Sequence, residues 1–169
     1  MMVLQTDRLR LRKLSVDDAE FILRLVNEPS FIKNIGDKGV RTLDDARSYI
    51  LNGPMTSYEK HGFGLWLVEM QDSGIPIGIC GLLKRDALED VDIGYALVPE
   101  FWSNGYGEES ALGVMTYAGK DLGLSRVVAI TSADNQSSIR LLEKIGFHFE
   151  RMIRLSDADP ELELFASVT

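Results

Sequence analysis

At 169 residues, 45% hydrophobic and 26% charged, the chain suits one domain, 1–169, with a substantial core and an ordinary globular composition. No apolar run approaches the roughly 18 residues of a membrane span, and the N-terminus alternates charged and apolar residues instead of forming a signal peptide. A net charge of -8 argues against nucleic-acid binding, which needs a basic face, and suits a cationic partner such as an amine or basic polypeptide.

From Met2 to Leu14, Leu9 and Leu11 alternate with Arg8, Arg10 and Arg12, which predicts one strand with a solvated charged face. Ser15 with Asp18, and Thr42 with Asp45, are helix-start signatures of the capping-box type. The first helix buries Ala19, Ile22, Leu25 and Val26 and ends near Pro29. Phe31 to Gly39 reads as a loop. The second helix carries Ala46, Tyr49 and Ile50, and Pro54 kinks or ends it. Phe31, Ile35, Tyr49 and Tyr58 are either core or the lining of a substrate pocket.

Gly64–Met70 and Pro76–Leu83, joined by the turn Gln71–Gly74, form an antiparallel hairpin. Cys80, mid-strand, reads as a small buried hydrophobe, and a single cysteine fits a reducing cytoplasm. The acidic run from Asp86 to Asp92 is a solvated loop entering the strand Val91–Val98, on which Asp92 shares a face with Gly94, Ala96 and Val98.

After that strand comes Pro99-Glu100-Phe101-Trp102-Ser103-Asn104-Gly105-Tyr106-Gly107-Glu108-Glu109. A helix follows, with Ala111, Leu112, Met115, Ala118 and Leu122 at helical spacing and Gly123 at its end. Glycines at a helix start leave free N–H groups open to an anion, so the loop is either a tight turn or a phosphate site. There is no Lys-Ser/Thr pair for a Walker loop and no three-glycine dinucleotide fingerprint. Arg126–Thr131 is the next strand. Asn135 caps a helix bearing Ile139, Leu142 and Ile145 and closed by Gly146, and Phe147–Leu155 and Glu161–Val168 are the final strands.

The run Ile93–Gly107 resembles the coenzyme A-binding motif of the GNAT superfamily of N-acetyltransferases, with Trp102 where many members have Gln or Arg. Asn135-Gln136-Ser137-Ser138-Ile139-Arg140-Leu141-Leu142-Glu143-Lys144-Ile145-Gly146-Phe147 resembles that family's next motif. Thr6–Arg12 and Trp102 are similar to the branch of ribosomal-protein N-terminal (serine/alanine) acetyltransferases.

The resemblance implies an α/β (α+β) fold, with a mixed, mostly antiparallel sheet of about seven strands and helices on both faces. The sheet is splayed between its fourth and fifth strands, 91–98 and 126–131, by a bulge near Ala96 and Leu97. It implies acetyl-CoA as co-substrate, held by Ala96, Leu97, Val98, Asn104, Gly105, Tyr106, Gly107, Glu108 and Asn135, with no metal. The N–H near Leu97 faces the thioester, and a free amine attacks it directly. Asp92 is the candidate for removing the amine's proton. Leu142 stands where many members place an acidic Tyr, so Ser138 is the candidate donor to the leaving sulfur. The acceptor is a small amine or a peptide or protein N-terminal α-amine, and exposed apolar positions in the last strands allow a homodimer. A non-catalytic coenzyme A-binding module and a nucleotide-phosphate enzyme of another fold are the alternatives.

Overall fold

The computed structural model describes residues 1–167. Met2–Gln5 (β1) and Leu9–Arg12 (β2) pair antiparallel, so the stretch expected as one strand is a hairpin. Thr6 closes it: its N–H donates to the Leu9 carbonyl at 2.9 Å and its hydroxyl accepts from the Leu9 N–H at 3.2 Å. The arginine face is not merely solvated either. Arg10 and Arg12 both donate to Glu69, at 2.8 and 3.3 Å, and Arg12 also reaches Asp18 at 2.8 Å. Glu69 is buried, and two guanidinium partners offset the cost of desolvating its charge.

Both capping boxes form. Ala19–Val26 (α1) buries Ala19, Ile22, Leu25 and Val26, as the spacing predicts. Pro29 does not end the helical region but opens a second helix, Pro29–Asn34 (α2), where a missing N–H costs nothing. Part of the expected loop is therefore helical. Leu43–Ile50 (α3) runs into a π-helical turn, Leu51–Met55, which contains Pro54, and the chain continues as Thr56–His61 (α4). The α-helix thus ends ahead of Pro54, as expected, and the wider turn makes room for the proline ring before the chain continues as α4.

Leu65–Met70 (β3), Pro76–Leu83 (β4) and Asp92–Leu97 (β5) extend the sheet antiparallel. Tyr106–Lys120 (α5) leads to Val128–Thr131 (β6), and Gln136–Lys144 (α6) to Phe147–Ile153 (β7) and Leu162–Ser167 (β8). The last strand was expected to reach Val168, which lies outside the described residues. The sheet has eight strands in the order β1-β2-β3-β4-β5-β6-β8-β7, the N-terminal hairpin adding one to the expected number.

On α5 the buried residues are Ser110, Ala111, Val114 and Ala118, whereas Leu112 is 45% exposed. The seam is rotated toward small side chains, which let the helix sit close on the sheet. One apolar core lies between the sheet and α5–α6, with Trp66, Cys80, Leu82, Ile93 and Leu142. A second lies on the opposite face under α1–α3, with Leu67, Ile79 and Val98.

Among the described residues only β5 and β6 are parallel, and they pair at one register position, Asp92 with Val128. Beyond it the two strands part. The ladder between β4 and β5 is continuous from Gly78–Leu97 to Leu83–Asp92, so the expected bulge near Ala96 and Leu97 is not there. The parting arises on the other side: β6 leaves β5 after Val128 and pairs along its whole length with β8.

Candidate active site

The Val98 N–H donates to the Ile77 carbonyl at 2.9 Å. An antiparallel ladder alternates, so Asp92, Gly94, Ala96 and Val98 turn their backbone groups toward β4. Ile93, Tyr95 and Leu97 turn theirs toward β6. Ile93 faces the closed end, where the Val128 N–H meets the Val91 carbonyl at 2.9 Å. Tyr95 and Leu97 face the opening. Of the three strand residues assigned to the co-substrate, only Leu97 therefore directs its N–H into the cleft, and the sequence reading passed over that of Tyr95. The indole of Trp102 donates to the Leu97 carbonyl at 2.9 Å, which fixes the strand end against the loop that follows.

The loop leads straight from this strand end to α5. Gly105 is its N-cap, with φ +81°, a conformation that favours glycine. It offers no capping side chain, and the first intrahelical bond runs from the Glu109 N–H to the Gly105 carbonyl at 3.0 Å. The N–H groups of Tyr106, Gly107 and Glu108 thus sit at the positive end of a 15-residue helix. A Cβ on Gly107 would lie 3.1 Å from Leu141, so α6 packs close against this turn. Asn104 points its amide at the Trp102 carbonyl, at 3.0 Å.

Two carboxylates in the first turn would oppose an anion, and each has a basic side chain beside it. Lys144 lies 3.6 Å from Glu108. Arg8 pairs with Glu109 at 2.7 Å, its backbone N–H donates to the same carboxylate at 2.9 Å, and the Thr6 hydroxyl donates as well. Burial would raise the Glu109 pKa, but these hydrogen bonds hold it below the ordinary value. Arg8 also donates to the Asn104 carbonyl at 3.0 Å and lies over the Tyr106 ring at 4.4 Å. Its guanidinium stands 3.3 Å from where a Gly105 Cβ would be. By its period Arg8 reads as a solvated strand residue, and the local signal for a place at the site is its position in the run Thr6–Arg12.

Asn135 accepts from the Ser138 N–H at 3.3 Å and caps α6, as its position predicts. The Ser138 hydroxyl is 2.8 Å from that of Tyr95. Leu142 is 1% exposed, inside the core, and offers no proton to the cleft.

Asp92 lies on the other face of β5, with Gly94 and Ala96, at 1% exposure. Burial pushes its carboxyl up to about 6, against the pull of Arg85, whose Nε lies at 3.1 Å. On this face a cavity of about 250 Å³ is lined by Tyr49, Pro54, Leu65, Leu83 and Lys84, among others. It adjoins Gly94, at which a Cβ would touch Leu65 and Leu83. Of the four pocket candidates, only Tyr49 lines this cavity. Phe31 and Tyr58 are core, the Tyr58 hydroxyl accepting from the Leu14 N–H and donating to the Leu65 carbonyl, and Ile35 is exposed. Cys80 is buried, and its thiol is pushed up to about 12.

A family model described as acetyltransferase (GNAT) domain matches residues 8–148. The chain is 34% identical over 153 residues to the uncharacterized N-acetyltransferase YoaA of Bacillus subtilis (strain 168), covering 90% of this chain and 86% of that protein. Its fold is similar to that of RimL, a ribosomal L7/L12 alpha-N-protein acetyltransferase in complex with coenzyme A, with a TM-score of 0.85 at 18% identity over 99% of this chain and 98% of the other. It is also similar to the microcin C7 self immunity acetyltransferase MccE in complex with acetyl-CoA and AMP, with a TM-score of 0.81 at 19% identity over 96% and 93%. A family model spanning most of the chain, on a fold whose splayed strands lead into an uncapped helix start, identifies the protein as a member of the GNAT acetyltransferase family, an acetyl-CoA-dependent acyltransferase.

Proposed function

We propose that the protein transfers the acetyl group of acetyl-CoA to a primary amine by direct attack. The amine is a small molecule or a protein N-terminal α-amine, such as that of a ribosomal protein. The observation that carries this reading is the edge of β5 at Tyr95 and Leu97, which no strand covers and on which the Trp102 indole takes the Leu97 carbonyl, and which runs into the open N–H groups of Tyr106, Gly107 and Glu108. The co-substrate's amide-rich arm pairs with that edge as an added strand would. Its pyrophosphate lies at the helix start, with the Arg8 guanidinium beside Gly105. Asn135 stands at the far side of the opening, at the start of α6.

The amine approaches from the cavity beside Gly94 and attacks the thioester carbonyl, whose developing oxyanion meets the cleft-side N–H groups of β5. Asp92 takes the amine's proton through water. Strand geometry puts it about 10 Å along the strand from Tyr95 and about 16 Å from Leu97, so it serves a thioester near Tyr95 better. The Ser138 hydroxyl faces the departing sulfur. A single buried cysteine suits the reducing cytoplasm. Exposed Phe149 and Met152 on the edge strand β7 favour a homodimer, which sedimentation velocity tests.

The test is calorimetric titration with acetyl-CoA, with ATP as control, followed by thiol-release assays over a panel of small amines and N-terminal peptides. Binding of acetyl-CoA and not ATP, with turnover on one acceptor class, is the expected result. Binding without turnover on any amine favours a non-catalytic coenzyme A-binding module. Binding of neither, or of ATP alone, overturns the reading.

A further inference from the structure

Past the single register pair at Asp92 and Val128, a side-chain hydrogen bond bridges the two sides of the splay. Tyr95 stands on β5, on the face toward α5 and α6, and Ser138 stands in the first turn of α6 beyond β6. Their hydroxyl oxygens are 2.8 Å apart, while the Ser138 carbonyl is farther from the phenol, at 3.4 Å. The Ser138 N–H is already committed to Asn135.

Direction follows from the chemistry of the pair. Burial pushes the Tyr95 phenol up to about 12, so it keeps its proton at neutral pH. A phenol is also the stronger donor of the two hydroxyls. Tyr95 therefore donates, the Ser138 oxygen accepts, and the serine's own hydrogen turns elsewhere. Resting on the acetyl-CoA reading above, we propose that Tyr95 is a positioning residue that aims the Ser138 O–H at the sulfur of coenzyme A.

The step balances without an acid. The amine nitrogen forms a bond to the carbonyl carbon, the carbon–sulfur bond breaks, and the electron pair leaves on sulfur. A thiolate, with a pKa near 8.5 by analogy with cysteine, is a far weaker base than a serine alkoxide. Ser138 thus keeps its proton and hydrogen-bonds the thiolate, which takes a proton from water on release. The consequence is a bound thiol that ionises more readily than a free one, because hydrogen bonding to the charged form favours it.

The experiment titrates coenzyme A itself, bound to the protein, by the ultraviolet absorbance of its thiolate. The readout needs no acceptor, and Cys80 is buried with its thiol held up near 12. In the wild type the bound thiol's pKa falls below that of free coenzyme A, by about one unit. Ser138→Ala abolishes the shift and Tyr95→Phe removes most of it. In the Ser138→Ala background Tyr95→Phe adds nothing, which a purely structural role for the ring would not produce. Thermal melting establishes that each variant is folded. Coenzyme A that binds with an unshifted thiol, or a shift that Tyr95→Phe leaves intact, overturns this proposal and leaves acetyl transfer standing. Failure of the wild type to bind coenzyme A overturns both.

Discussion

Arg8 and Glu109 stand 101 residues apart in the chain and meet through two hydrogen bonds, one from the Arg8 side chain at 2.7 Å and one from its backbone N–H at 2.9 Å. The pair fastens the N-terminal hairpin to the first turn of α5. It neutralises a carboxylate that would repel an anion at the helix start, and it holds a guanidinium beside Gly105. In the proposed acetyl-CoA site the glycine loop is then only part of the cradle, and Arg8, from the turn between β1 and β2, supplies a cation.

Arg8→Gln is expected to weaken acetyl-CoA binding roughly tenfold, through loss of a charge-assisted contact and exposure of the anion to Glu109. The double variant Arg8→Gln with Glu109→Gln should recover part of that loss, because it removes the repulsion. Calorimetry at two salt concentrations checks this, since the wild-type advantage should shrink as salt rises. Equal affinity in all three proteins would assign Arg8 to structure alone.

Asp92 gives a signed pH dependence. Burial raises its folded pKa from 3.8 to about 6, so the folded chain holds this proton more tightly than the unfolded chain. The associated stability is present in full below about pH 4 and is lost as pH rises through about 6, to the extent of roughly 3 kcal/mol. Urea denaturation of the wild type against Asp92→Asn should show the wild type's relative stability falling across that window. If Asp92 also accepts the amine's proton, kcat/KM should rise over the same window, and Asp92→Asn should flatten the profile. A relative stability that rises with pH would mean that the Arg85 ion pair outweighs burial.

What was legible in the sequence is what is local in it. Ser15 with Asp18 and Thr42 with Asp45 are three residues apart, and both boxes form. The glycine loop and the Asn135 cap sit where their neighbours indicate. Hidden were the pairs that only the sheet brings together, Arg8 with Glu109 and Tyr95 with Ser138, the latter 43 residues apart. No period or spacing encodes them. Thr6 turns the chain on a cue of one hydroxyl between Gln5 and Asp7, too slight to mark a turn, whereas Pro54 falls in the π-turn at which α3 gives way after Ile50, in keeping with the end or kink its sequence predicts. The expected bulge failed for a similar reason: the splay depends on which partner β6 chooses, a property of β8 and not of Ala96 or Leu97.

Leu142→Tyr installs the tyrosine that the resemblance leads one to expect at this position, and it should not supply a proton donor. Leu142 is enclosed in the core with Trp66, Ile93 and Ala111. A tyrosine there adds volume to a packed interior and buries a hydroxyl, at a cost of about 1–3 kcal/mol. The midpoint of chemical denaturation should fall while the pH profile of turnover keeps its shape. A variant that melts normally and gains activity at high pH would show that the position reaches the cleft after all.

Gly78→Ala tests whether the cleft depends on how closely β4 lies against β5. Gly78 pairs with Leu97, and a Cβ there would come within 2.2 Å of the Ala96 carbonyl oxygen and 2.9 Å of the Leu97 Cα. Both are backbone atoms, so no side-chain rotation relieves the clash and the strand itself must move. Gly78→Ala should therefore cost on the order of 3 kcal/mol or more, far beyond the effect of alanine at an open glycine. It should also displace the N–H of Leu97, so any folded fraction should bind acetyl-CoA less tightly. Gly119→Ala is the control: its Cβ meets nothing within 4 Å, and in the last turn of α5 alanine should stabilise the helix by about 0.5 kcal/mol at most. Denaturation and acetyl-CoA titration of the two variants side by side separate a general glycine effect from the specific approach of these strands.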